Sequence, residues 1–126
     1  MPFVRIDVIE GASSRFKAQI SDAVHTALVD TFNVPADDKF QAIHVHAPDE
    51  LVYAPAYLGI VHSKAIVIIQ ITCNEGRTLE LKKALYARIA ELIAGSTEIG
   101  KNDVIINLIE VKKENWSFGN GVAQYG

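Results

Sequence analysis

The stretch VIIQITCNEGRTLELK at residues 67–82 contains, in order, the signals for a strand, a turn and a helix. Its first part, VIIQITC (67–73), is rich in β-branched residues, which favour strands, and is apolar enough for the strand to be largely buried. Glu75-Gly76 then marks a turn. Thr78 suits the N-cap of a helix, because its hydroxyl can accept a hydrogen bond from an amide of the first turn.

The same pattern occurs 65 residues earlier in the chain. FVRIDVI (3–9) is the matching strand, and it too is followed by Glu-Gly and a hydroxyl residue. At this offset Glu10-Gly11 coincides with Glu75-Gly76, Ser13 with Thr78, Lys17 with Lys82, Val34 with Ile99, Asp38 with Asp103 and Ile43 with Leu108. A repeat with a constant offset indicates two copies of one supersecondary unit.

Each copy continues in the same way after its first strand. Apolar residues recur at helical spacing in residues 14–31 and 79–94, so both segments are predicted helices. New strands are predicted at 40–46 and 104–111. The chain is therefore predicted to be a single α+β (α/β) domain over residues 1–126, with βαβ pseudo-repeats at 2–46 and 67–111. Right-handed crossovers would make the two strands of each unit parallel.

Two segments fall outside this repeat. Residues 47–63 contain Tyr53 and Tyr57 and are predicted to form a long loop of the kind that is often functional. Residues 115–126 are predicted to form a C-terminal hairpin, with a tight turn at Gly119-Asn120 or Asn120-Gly121. The aromatic residues of this segment either cap the core or form the wall of a substrate site, and a hairpin could also pair with a neighbouring subunit.

Composition narrows the function classes. The chain is 49% hydrophobic with a net charge of −3 and has no cluster of Lys and Arg, so binding to nucleic acid or to an anionic membrane is not expected. No leader peptide or membrane span is evident. Cys73 is the only cysteine, which excludes an internal disulfide. These features predict a cytoplasmic protein.

Three motifs carry a resemblance to a known family. Pro2 precedes a strand, EGRTLELK (75–82) forms the second turn, and WSFGNG (116–121) follows the last strand. With these motifs the chain resembles the tautomerase superfamily, whose small members, such as 4-oxalocrotonate tautomerase, are single βαβ units. FNVPADDKFQ (32–41) and DVI (103–105) are similar to the fused, double-length branch that includes malonate semialdehyde decarboxylase.

This resemblance implies a homotrimer in which each chain forms a four-stranded mixed sheet with two helices on one face. It also implies roles for individual residues. Pro2 corresponds to the catalytic proline, Asp38 to an aspartate that positions or activates water or the proline, and Arg77 to the arginine that binds a substrate carboxylate. The apolar wall of the site corresponds to Trp116, Phe118 and Tyr125. No metal or organic cofactor is implied.

The chemistry of Pro2 depends on Met1. With Met1 removed, Pro2 has a free secondary amine, and an α-amino group titrates near pH ~8, so it can serve as a base or as a fixed cation. With Met1 attached, the Pro2 nitrogen is an amide without useful basicity. The resemblance has one departure as well, because Glu75 stands where the decarboxylase has a second arginine.

The favoured function is keto–enol tautomerisation of small 2-oxo or 3-oxo carboxylic acids. Malonate semialdehyde-type decarboxylation is an alternative, and a non-catalytic trimer of the same fold is a further one. Other candidate residues have simpler explanations. His44 and His46 face one side of a strand without an evident third metal ligand, Cys73 is expected to be a small buried residue, and Asp38 can equally shape a turn, as Asp103 does.

Overall fold

The computed structural model describes all 126 residues. Its strands and helices alternate as the repeat predicts, and no helix is long and apolar enough to cross a membrane. In chain order the elements are β1 (Phe3–Ile9), α1 (Lys17–Phe32), β2 (Gln41–His46), β3 (Ala56–Tyr57), β4 (Ile60–Val61), β5 (Val67–Asn74), α2 (Leu79–Ser96) and β6 (Val104–Val111). Short 3-10 turns at Ser14–Phe16, Lys101–Asp103 and Lys113–Asn115 complete the chain.

Four strands form one mixed sheet in the order β2-β1-β5-β6. β1 is parallel to β2, and β5 is parallel to β6, so both βαβ units are confirmed. The two units meet where β1 pairs antiparallel with β5, with Ile6 opposite Ile69. The predicted mixed sheet is therefore confirmed in its strands and in their pairing.

Both helices lie on one face of this sheet, where they contact each other and cover the core. Along β5 the helix-facing side chains are buried, and those of the other face are only partly covered. The prediction that this strand is largely buried is therefore confirmed on the helix side, whereas on the second face a single chain covers the side chains only in part. The core consists mainly of aliphatic side chains from β1, α1, β5 and α2.

The two helices begin differently despite their matching sequences. The Thr78 hydroxyl accepts a hydrogen bond from the Leu81 amide at 3.3 Å, as predicted for an N-cap. Ser13 makes no such bond and is fully buried. Its hydroxyl instead bonds the backbone of Ile9, accepting from the amide at 2.9 Å and donating to the carbonyl at 3.2 Å. Ser13 therefore closes the end of β1, and its predicted capping role is wrong.

The loop between the two units contains a small ribbon that sequence reasoning missed. β3 and β4 pair antiparallel around a turn at Leu58 and Gly59, whose φ angles are 51° and 77°. Positive φ at both central positions is the geometry of a tight hairpin turn. A leucine rarely adopts it, and this one is 85% exposed.

The C-terminal segment does not form the predicted hairpin, because residues 116–126 contain no strand. The predicted turn is present: Asn120 and Gly121 both have positive φ, and the Val122 amide bonds the Gly119 carbonyl at 3.4 Å. A side chain replaces the missing strand pairing. The side-chain amide of Gln124 accepts a hydrogen bond from the Phe118 backbone N–H at 3.0 Å through its oxygen and donates one to the Gly119 carbonyl at 3.2 Å through its nitrogen.

Candidate active site

Every residue of the predicted site comes from one end of the main sheet. Because β1 and β2 run opposite to β5 and β6, the starts of the first pair lie beside the ends of the second. This end, named here the Pro2 end, is bounded by Phe3, Gln41, Asn74 and Val111. Continuing the β1–β5 register by one residue beyond Phe3 and Thr72 brings Pro2 opposite Cys73.

Asn74, the last residue of β5, joins two of the predicted residues. Its backbone carbonyl accepts a hydrogen bond from the Arg77 guanidinium at 3.1 Å. Its side-chain oxygen accepts from the Trp116 indole N–H at 2.8 Å. The intervening Gly76 has a φ of 119°, which favours glycine and lets the chain turn back within three residues. One residue thus holds both the cation and the indole at the Pro2 end.

Arg77 is held from a second side by the end of α1. Its guanidinium lies 4.6 Å from the centre of the Phe32 ring and donates to the Phe32 carbonyl at 3.4 Å. A cation over an aromatic face is electrostatically favourable. Arg77 is only partly exposed, and none of its hydrogen bonds in the chain goes to a carboxylate. A planar cation without an anionic partner can bind a carboxylate with two parallel hydrogen bonds.

Charges of both signs surround Cys73 at the base of the site. Burial raises the pKa of its thiol, while the positive charges of Arg77, Lys82 and the N-terminus oppose the rise and Glu110 adds to it. Arg77 and the N-terminus therefore act on the same buried atom. Cys73 is a small buried core residue, as predicted, and a raised pKa makes a thiol less reactive.

The three predicted wall residues contact one another. The rings of Trp116 and Phe118 stack with their centroids 5.6 Å apart, and Tyr125 meets Phe118 edge-on at 5.4 Å. Such pairs stabilise one another beyond their buried area. Phe118 and Tyr125 remain exposed on one side, so this aromatic cluster offers an apolar surface next to the indole that Asn74 holds.

Asp38 lies on the other side of the N-terminus. Its Oδ2 is 3.8 Å from the Met1 ammonium nitrogen, and its Oδ1 is buried without a hydrogen-bond partner. Pro2 itself is buried at the start of β1. A buried carboxylate oxygen without a partner is costly, and such an atom is uncommon away from a ligand site.

Other residues considered from the sequence lie elsewhere. Tyr53 and Tyr57 belong to the loop that follows β2, so within one chain they lie at the opposite end of the sheet and do not border the Pro2 end. His44 and His46 stack with ring centroids 6.4 Å apart, and His46 hydrogen-bonds Asp7 at 2.7 Å. No group of three or more His, Cys, Asp or Glu side chains is arranged to hold a metal ion.

Comparison with known proteins identifies the family of this chain. Two family models, each described as "Tautomerase enzyme", match residues 38–119 and residues 2–60. "Probable tautomerase YusQ" of Bacillus subtilis (strain 168) is 40% identical over 98% of each chain. The chain belongs to the tautomerase family. A second relative of this family, "Probable tautomerase YrdN" of the same organism, is 31% identical over 99% of this chain and 96% of its own.

Solved structures support the same assignment. FG41 malonate semialdehyde decarboxylase inhibited by 3-bromopropiolate is 38% identical with a TM-score of 0.87, covering 98% of this chain and 93% of that one. A second malonate semialdehyde decarboxylase structure is 32% identical with a TM-score of 0.87, covering 97% and 94%. A wild-type fused 4-OT that forms a symmetric trimer shares the fold at 21% identity and a TM-score of 0.76, over 95% of this chain and 94% of that one. This chain is thus a tautomerase-superfamily enzyme.

Sequence reasoning missed two residues of this candidate site, Asn74 and Phe32. Asn74 directly precedes the Glu-Gly turn, where its match in the first repeat is the apolar Ile9. That difference between the halves was a usable signal. Phe32 gave no local signal, because its contact with Arg77 joins residues 45 positions apart.

Proposed function

We propose that this tautomerase-family enzyme interconverts the keto and enol forms of small 2-oxo carboxylic acids, with 3-oxo acids as related substrates. Pro2 is the base after removal of Met1, Arg77 binds the carboxylate, and the apolar wall consists of Trp116, Phe118 and Tyr125. The observation that carries the proposal is the double use of Asn74, which holds Arg77 and the Trp116 indole side by side at the Pro2 end.

The reaction needs only a proton transfer. The neutral Pro2 amine removes a proton from the carbon next to the carbonyl, the electron pair moves to the carbonyl oxygen, and that oxygen takes a proton from the protonated Pro2 or from water to give the enol. General-base transfer of this kind contributes about 100- to 10,000-fold. Arg77 stabilises negative charge on the substrate, and the aromatic cluster limits access of water, which strengthens that pairing.

Asp38 supports this role for Pro2. Its Oδ2 lies 3.8 Å from the N-terminal nitrogen, and its Oδ1 has no partner in the chain. We infer that Asp38 orients the Pro2 amine, or a water molecule beside it, once Met1 is absent. A cytoplasmic location and a homotrimeric assembly are part of the same proposal. The trimer is supported by the fused 4-OT of the same fold, which forms a symmetric trimer.

The test uses protein freed of Met1, confirmed by intact mass, and phenylpyruvate as substrate. Pro2→Ala should lower kcat about 100-fold, and Arg77→Ala should raise KM about 10- to 100-fold, because it removes hydrogen bonds to a charged group. Arg88→Ala is the matched control, since Arg88 is a surface arginine bound to Asp30 and Glu91. The proposal would be contradicted if the wild-type enzyme turned over no enolisable acid, or if Pro2→Ala left turnover unchanged.

Malonate semialdehyde-type decarboxylation is a second candidate, favoured by the two decarboxylases at TM-score 0.87. In this reaction the bond between the carboxylate carbon and its neighbour breaks, and its electron pair forms an enolate that cationic Pro2 and Arg77 stabilise. Glu75 argues against it, because an anion stands where a second arginine is expected. Release of carbon dioxide from malonate semialdehyde, compared with phenylpyruvate turnover in one preparation, ranks the two reactions.

A further inference from the structure

A salt bridge joins the first turn of α2, just after Arg77, to the last strand of the sheet. The Lys82 Nζ donates to Glu110 Oε1 at 2.7 Å. Lys82 is in the first turn of α2, and Glu110 is opposite Cys73 in the β5–β6 register. The two side chains are 25% and 32% exposed, so the pair is neither buried in the core nor fully solvated.

The turn that carries Arg77 lies beside the end of β6, because the Glu75 amide bonds the carbonyl of Val111, the residue after Glu110, at 2.9 Å. The hydrogen bond from Lys82 lowers the pKa of the Glu110 carboxyl, and the charges of Lys82 and Arg77 and the Gly76 amide act in the same direction. The same hydrogen bond raises the pKa of Lys82. Glu110 is thus an anion through the neutral pH range, close to the cation that is proposed to bind a substrate carboxylate. Without compensation, it would repel that carboxylate and compete for Arg77.

The internal repeat supplies a comparison within the molecule. At the 65-residue offset Arg77 matches Ala12, Glu110 matches Val45 and Lys82 matches Lys17. The half without the arginine also lacks the glutamate, and its lysine has no salt-bridge partner. If the glutamate served only to anchor a helix to a strand, the first half would need it as well. The salt bridge is therefore present only in the repeat that has the arginine, and it is not a general feature of the βαβ unit.

We propose that Lys82 and Glu110 are positioning residues that set the electrostatic environment of Arg77, with Lys82 neutralising Glu110 so that the guanidinium stays available for a substrate carboxylate. The proposal rests on the proposed function insofar as Arg77 binds that carboxylate. If the proposal holds, removing Lys82 weakens substrate binding and removing Glu110 strengthens it. If the salt bridge were purely structural, removing either residue would weaken substrate binding.

The experiment compares charge-changing variants in Met1-free protein. Lys82→Met leaves Glu110 uncompensated and should raise KM for phenylpyruvate about three- to tenfold, while Glu110→Gln should lower KM by a similar factor. The double variant should return to the wild-type value, and Lys82→Arg, which keeps the charge, should match wild type. These changes should appear in KM with little change in kcat, and they should shrink in high salt.

Two controls isolate the electrostatic effect. The methyl ester of phenylpyruvate has no carboxylate, so its KM should not change in any of these variants. Lys17→Met removes the matching lysine of the first repeat and should leave both KM values unchanged. An increase in KM in both single variants, or an equal effect on the ester, overturns the proposal.

A binding measurement separates this inference from the catalytic proposal. Trp116 is the only tryptophan, so its fluorescence reports ligand binding at the Pro2 end. Titration with 3-phenylpropionate should give a Kd that rises in Lys82→Met and falls in Glu110→Gln, even if no keto acid is turned over. If Kd shifted in these opposite directions while the wild-type enzyme turned over no keto acid, only the proposed reaction would be contradicted. No binding by wild-type protein, or shifts of the same sign, would overturn the salt-bridge inference.

Discussion

Asp38 and Asp103 occupy matching positions in the two repeats. In each, the backbone amide donates a hydrogen bond to the carbonyl three residues earlier. Their carboxylates then differ. Asp103 is buried and fully bonded, accepting from the Ser63 amide at 2.7 Å and from the Ser63 hydroxyl at 2.6 Å. Asp38 keeps one buried oxygen without a partner. The Asp103 carboxylate therefore holds the loop at Ser63, whereas the Asp38 carboxylate has no such partner in the chain.

Asp38→Asn should lower kcat/KM for phenylpyruvate about 100-fold in Met1-free protein, if Asp38 assists proton transfer at Pro2. Asparagine keeps the size of the side chain and the backbone turn. Because an anion beside an amine favours its protonated form, the basic group's limb of the pH–activity profile should also move to lower pH. Asp103→Asn is the control and should lower thermal stability without moving that limb. An unchanged profile in Asp38→Asn would leave Asp38 with a turn-shaping role alone.

At the level of elements, the two repeats reach the same helix in different ways. α2 begins with a side-chain cap from Thr78, whereas α1 is preceded by a 3-10 turn, and the hydroxyl of Ser13 serves the strand before it. The capped start matters more in the second repeat, because the residue just before the cap is Arg77. A frayed first turn of α2 would loosen both Arg77 and Lys82.

Thr78→Ala should therefore lower the free energy of unfolding by about 1 kcal/mol, the usual loss for an N-cap. Thr78→Ser retains the hydroxyl and should stay close to wild type. Urea unfolding followed by Trp116 fluorescence measures both. The alanine variant should also have a raised KM for phenylpyruvate, since Arg77 adjoins the cap. Equal stability of the alanine and serine variants would show that the Thr78 hydroxyl contributes nothing to the helix start.

At the level of the whole molecule, the face of the main sheet that is turned away from the helices is only partly covered. Ile68 and Ile105 face each other there, and Ile109 is 40% exposed. The apex of the β3–β4 ribbon and the aromatic cluster add further exposed apolar surface at the two ends. Apolar surface of this extent is typical of an interface with other subunits. It supports the proposed homotrimer, in which sheets of three chains cover one another.

Light scattering should therefore give a mass of three 13.8 kDa chains. Ile109→Asp, on the open face of the sheet, should dissociate this assembly, because it buries a charge without a partner at the interface. Leu81→Asp is the matched control, since Leu81 is also 40% exposed but lies on α2. A monomeric wild type, or an unchanged mass in Ile109→Asp, would contradict the proposed assembly.

The repeat, the four main strands and both helices were predictable from the sequence, because each depends on local signals: apolar periodicity, Glu-Gly turns and the constant offset. The family motif also marked Arg77 and the C-terminal aromatic residues as candidates. Local signals explain where the predictions were wrong. Ser13 matches Thr78 in the repeat, yet its hydroxyl bonds Ile9 and does not cap the helix. Asn120-Gly121 is a typical hairpin turn, yet the Gln124 side chain takes the place of strand pairing.

Only the tertiary structure showed how the candidate residues are joined. Asn74 bonds Trp116 across 42 positions of sequence and also holds Arg77, Phe32 supports the guanidinium from the other repeat, and Glu110 of β6 bonds Lys82 of α2. It also separated Asp38 from Asp103, which are equivalent in sequence. The physical reason is the same in each case: a side chain's hydrogen bonds and charges depend on neighbours that strand pairing and helix packing bring together from distant parts of the sequence, and no local pattern encodes that proximity.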